Sequence, residues 1–131
     1  MTDFVRRQSE SEKVADFLLR VMPAFGQSQE FKQLDGPLRK VPGLVAGALK
    51  DYLIRLQEFE TRGNADAEAL NALENVYRAI EELASNPDPG VQNLLVTEIF
   101  EHLWCPEPTL AVIKQRLKPK SSALYSRWVR E

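Results

Sequence analysis

Eight prolines cut this chain of 131 residues into short runs, and within the runs apolar residues recur every three or four positions. Strict alternation of the strand type is nowhere sustained, although Thr109 to Ile113 comes nearest to it. Val14, Phe17, Leu18 and Val21 line one face of a first helix. Ser9 and Glu12 have the spacing of a capping box before it, and Pro23 ends it because proline lacks the donor a helix interior needs. Between Gly26 and Gly36 the pattern is ambiguous and allows a short helix around Glu30 to Leu34. Pro42 suits a first helical turn, and Val45, Leu49, Tyr52, Leu56 and Phe59 follow on one face to an end near Gly63. Asn64 or Asp66 can cap the next helix, whose stripe is Leu70, Leu73, Tyr77, Ile80 and Ala84.

The run Asn86, Pro87, Asp88, Pro89, Gly90 stops that helix and starts another, with Asp88 as cap and Pro89 in the first turn. From Val91 to Trp104 apolar residues cover more than half the helical circumference, which predicts the best-buried helix of the fold. Pro106 and Pro108 break the chain again. Leu110, Ile113 and Leu117 then predict a short helix, and Pro119 separates it from a last one in which Leu124, Tyr125 and Trp128 form the inward stripe. With 44% hydrophobic residues there is material for one core. The expectation is a single domain over residues 1–131, all-α, a compact bundle of five to seven mostly antiparallel helices with its central helix near 91–104.

The formal charge of −2 conceals a segregation along the chain. Residues 1–50 carry 8 basic and 6 acidic side chains; residues 51–107 carry only Arg55, Arg62 and Arg78 against 12 carboxylates; residues 108–131 carry 6 basic side chains against Glu131. An acidic middle and a basic tail generate local potentials that steer oppositely charged partners.

Few residues are suited to catalysis. A single cysteine, Cys105, and a single histidine, His102, exclude an internal disulfide and leave little for a nitrogen and sulfur metal site. Glu98, Glu101 and His102 share a helical face, but a bundle metal site takes Glu-x-x-His motifs from two helices and position 99 is Ile. A solvated helix face is the simpler reading, and Cys105 reads as a small, buried or half-buried thiol at a helix end. Phosphate-cradling, nucleophile-elbow and zinc-protease motifs are missing. No catalytic residue, metal or cofactor is therefore expected. No run of eighteen apolar residues occurs to cross a membrane, and Arg6 and Arg7 are followed by Ser9 to Glu12 rather than by the apolar core of a secretory signal, so the expected compartment is the cytoplasm. In the tail, Lys114, Arg116, Lys118, Lys120, Arg127 and Arg130 lie among Tyr125 and Trp128, a weak nucleic-acid signal for which helix C-terminal charge is explanation enough.

Two stretches carry a resemblance: Gly90-Val91-Gln92-Asn93-Leu94-Leu95-Val96 running into Phe100-Glu101-His102-Leu103, and Leu117-Lys118-Pro119-Lys120-Ser121 followed by Leu124 and Trp128. They resemble small helical bacterial immunity-like proteins found beside polymorphic or contact-dependent toxins. There an Asn-Leu-apolar run reaches a Leu-Glu-x-Leu helix end, and the last helix opens with Gly-Pro-Lys-Ser. Lys118 stands in place of that glycine and Phe100 in place of that leucine. The resemblance covers a third to a half of the chain and implies helix-capping or bridging roles for Asn93 and Ser121.

Together these readings predict a non-enzymatic immunity protein that neutralises a cognate protein toxin, a basic nuclease domain being one form of it. The predicted contacts are Glu68, Glu74, Glu81, Glu82, Glu98 and Glu101, acting as one outward acidic surface. A helical adaptor that takes an amphipathic helix in an apolar groove is the alternative, and an RNA-binding module using the basic tail comes third.

Overall fold

A computed structural model describes residues 10–129, and among these residues all regular structure is helical. The described residues form eight α-helices, where the sequence predicts five to seven: α1 Val14–Val21, α2 Pro23–Gly26, α3 Gln29–Lys32, α4 Pro42–Thr61, α5 Ala67–Ser85, α6 Pro89–Leu94, α7 Glu107–Arg116 and α8 Pro119–Trp128. The surplus comes from single-turn pieces. Pro23 does end α1, but proline tolerates a first turn and opens α2 directly; Ser28 then starts α3 by accepting the Phe31 N–H at 3.2 Å. Ser9 lies outside the described residues, so its capping box with Glu12 does too; the described chain enters α1 through a 3₁₀ turn, Ser11–Lys13.

The long elements begin where local chemistry directs. Pro42 occupies the first turn of α4. At its far end Gly63 adopts φ 76°, a left-handed conformation that glycine enters without a Cβ clash, and the Asn64 N–H returns to the Phe59 carbonyl at 2.8 Å. Asp66 caps α5 through the Ala69 N–H at 2.8 Å, and Asp88 caps α6 through the N–H groups of Gly90 and Val91.

The centre of the fold is α4, not the segment near 91–104. α4 packs against α1, α3, α5, α6, α7 and the 95–99 segment, and it buries Val45, Ala46, Ala48, Leu49, Leu53 and Leu56 on more than one face. The 91–104 run, by contrast, does not hold one helical register. After Leu94 it passes into a π-helical turn, Leu95–Ile99, and then a 3₁₀ turn, Phe100–His102. Leu95, Val96, Ile99, Phe100 and Leu103 still point inward, but the register ends there and Trp104 is left 77% exposed. Val21, Phe59 and Leu70, expected on apolar stripes, sit at helix ends and are partly exposed.

Among the described residues four polar side chains besides the tyrosines are buried: Ser28, Gln57, Thr109 and Ser121. Gln57 is fully buried and satisfied: its Oε1 accepts the Tyr77 hydroxyl at 2.7 Å, and its Nε2 donates to Glu60 at 2.8 Å. Arg116 of α7 closes this network by donating to Glu60 at 2.7 Å while its guanidinium lies 4.8 Å from the Tyr77 ring centroid.

Candidate functional site

Three of the six acidic side chains expected to face a partner, Glu74, Glu81 and Glu98, lie against the protein's own elements. Glu74, on α5, accepts Lys118 Nζ at 3.0 Å and faces Arg116 at 3.5 Å and Arg78 at 3.4 Å. The hydrogen bond from Lys118 is the main reason its carboxyl is held below the usual carboxylate range. Glu81, two turns further along α5, receives the start of α8: its two oxygens accept the N–H groups of Lys120 and Ser121 at 2.9 and 2.8 Å, and the Ser121 hydroxyl at 2.9 Å. Burial alone would raise this carboxyl; those hydrogen bonds, with the Lys118 charge, outweigh it and lower it. Glu98 is half-buried, and its carboxyl group lies 3.7 Å from the position a Cβ on Gly43 would take, against the first turn of α4. A carboxylate there is favoured by the helix dipole.

The other three of the six expected contacts lie in separate clefts. Glu68 lies with Phe59, Arg55 and Asn75 between α4 and α5; Glu82 lies with Lys13, Phe17 and Arg20 beside α1; Glu101 belongs to the end of the 89–102 segment. The basic tail accounts for much of this division, since Arg116 and Lys118 fold onto Glu60 and Glu74. Those two cations are engaged internally, as α8 is by Glu81.

What the structure brings together instead is Glu101 and two tryptophans. Glu101 is exposed and lines two neighbouring clefts. One, about 440 Å³, runs along Pro89, Gln92, Val96 and Trp128; the other, about 300 Å³, runs along Leu103, Trp104, Leu110 and Tyr125. Trp128, read from its spacing with Tyr125 as a core residue, is 55% exposed while Tyr125 is buried. Their separation of three positions on α8 is one that periodicity cannot orient by itself. The Trp104 ring meets His102 edge-on, ring centroids 4.8 Å apart, and the Trp104 backbone N–H donates to the His102 carbonyl at 2.8 Å. The face therefore presents two indoles on either side of a carboxylate that makes no ion pair among the described residues.

Cys105 is half-buried with its Sγ directed to the Leu103 carbonyl at 3.8 Å, and burial, followed by the nearby Glu58 and Glu107 charges, raises its thiol, which works against a thiolate. Among the described residues no three His, Cys, Asp or Glu side chains are grouped to hold a metal ion, and no helix is long and apolar enough to cross a membrane. No family model matches the chain, and no curated protein or solved structure matches it either.

Proposed function

We propose that this chain is a non-catalytic immunity-type protein, which neutralises a cognate bacterial toxin domain by direct binding. The motifs around Asn93 and Leu117 to Ser121 support the immunity reading, and one observation carries the binding reading: Trp104 and Trp128 stand exposed on either side of Glu101. An indole ring exposed in a monomer keeps apolar surface in water, and tryptophan is among the residues that dominate binding energy when a partner covers it. The contact surface is thereby drawn away from the acidic middle as a whole, since Glu74, Glu81 and Glu98 lie against the protein's own elements.

Co-expression with the product of the neighbouring reading frame, where the proposal expects a toxin domain, tests it. Restored growth together with co-purification of the two proteins is the expected result. Undiminished toxicity with no complex formed overturns it.

The adaptor reading has its own observation. Leu38, Val41 and Leu44 follow one another at three-residue spacing into the first turn of α4, and each is about 40% exposed. If that patch were the binding surface, Leu44→Asp would abolish complex formation while Trp128→Ala would leave it intact; the immunity reading expects the reverse.

A further inference from the structure

We infer that the cleft between Glu101 and Trp128 receives an arginine side chain from the partner, its guanidinium on the Glu101 carboxylate and its aliphatic stem on Val96 and the Trp128 ring. This rests on the binding role proposed above and names the chemistry of the group bound.

Four features of the cleft select that group. Among the described residues its lining contains a carboxylate and no lysine or arginine, Lys114 being the basic lining residue of the neighbouring cleft, and Glu101 makes no ion pair there. Two donors of the lining are already committed: the Thr97 hydroxyl donates to the Asn93 carbonyl at 2.9 Å and Gln92 Nε2 donates to the Asn86 carbonyl at 2.9 Å. The Glu101 carboxylate is an acceptor only, and a guanidinium supplies only donors. Pro89, Val96 and Trp128 supply apolar walls, along which a long basic side chain packs its methylenes. Finally, the Trp128 ring already takes one guanidinium, that of Arg127, at 5.2 Å from its centroid, so its face has the character that attracts this group. Arginine is favoured over lysine because its planar, weakly hydrated cation stacks on a ring while bonding a carboxylate in two places. The volume, about 440 Å³, lies in the range of roughly 300 to 1,000 Å³ in which proteins hold small ligands.

The chain has two tryptophans and so two indole N–H signals, which substitution of Trp128 by Ala assigns. The full ¹⁵N-labelled chain is titrated with an acetylated and amidated Leu-Arg-Leu peptide and with its Leu-Glu-Leu counterpart. The expected result is a saturable shift of the Trp128 signal with the arginine peptide alone, weakened at least about tenfold by Glu101→Gln. A Trp128 signal that does not move, that responds equally to the glutamate peptide, or that is indifferent to Glu101→Gln overturns the inference. Growth rescue separates this from the parent reading: if rescue holds while the titration fails, the arginine site is wrong and the immunity role stands, and loss of rescue with a positive titration leaves the reverse.

Discussion

Glu81 and Ser121 hold α5 and α8 together across 40 positions of sequence: one carboxylate oxygen accepts both the backbone N–H of Ser121, at 2.8 Å, and its hydroxyl, at 2.9 Å. A glutamate from a neighbouring helix thus does the work that a serine or aspartate cap does from within the chain, and Ser121 is fully buried in consequence. Glu81→Ala leaves the Lys120 and Ser121 donors without their acceptor and is expected to destabilise the fold by about 1 to 3 kcal/mol. Ser121→Ala, which keeps the backbone bonds, is expected to cost only about 1 kcal/mol. Urea denaturation of the three proteins checks both the direction and the order.

The same carboxyl gives the fold an acid-sensitive seam. In the folded state Glu74 and Glu81 both titrate below their unfolded value of about 4.3, so their contribution is complete above that pH. It is lost as pH falls through their folded values. The urea midpoint is therefore expected to be level near neutrality and to fall below about pH 4.3, with a shallower fall in Glu81→Gln. Midpoints measured from pH 7 to pH 3 would show it; an identical slope in the variant would remove Glu81 from the seam.

Tyr77 and Gln57 form a buried polar contact between α5 and α4. Burial, opposed in part by the Arg116 charge, pushes the Tyr77 phenol far above its ordinary value, so it remains a neutral donor across the accessible pH range. Tyr77→Phe removes that donor while Arg116 still reaches Gln57 at 3.3 Å, and a loss of about 1 to 2 kcal/mol is expected. Gln57→Ala adds a cavity and strips a partner from Glu60 and Thr61, so it is expected to be the more damaging. A double-mutant cycle on thermal unfolding yields the coupling between the two.

Arg55 fastens the single-turn helix α3 to α4 through a two-pronged bond to Glu30, at 2.6 and 2.9 Å. Helices as short as α2 and α3 have no stability of their own and depend on such attachments. Arg55→Ala is expected to raise amide hydrogen exchange across residues 23–40 with little change in α5. Uniform acceleration across the chain would show instead that the contact supports the whole fold.

The helix boundaries were legible where one residue acts on its own neighbours: Pro42, Asp66, Asp88 and Pro89 stand in the caps and first turns that their chemistry predicts. Apolar stripes likewise located α4 and α5. The sequence was silent on relations set by packing over distance. Lys118 and Glu74 are 44 positions apart, and nothing in the local pattern of either says that the basic tail folds onto the acidic middle. Periodicity also treats every apolar residue alike, so it assigned Trp128 to the core with Tyr125 and ran one helix through 95–104, where the backbone changes register twice. The two tryptophans of the candidate face were visible as residues but not as a surface, because exposure is decided by where the 3₁₀ turn ends and how α8 rotates on Glu81.

Protection of growth in cells carrying the toxin domain, compared across surface variants, tests the central claim most directly. Glu101→Gln and Trp128→Ala, both at exposed positions, are expected to keep the fold and lose protection; Glu68→Lys and Glu82→Lys, on other clefts, are expected to protect as the parent does. Protection lost on reversal of Glu68 and Glu82 but retained without Trp128 and the Glu101 charge would contradict the account.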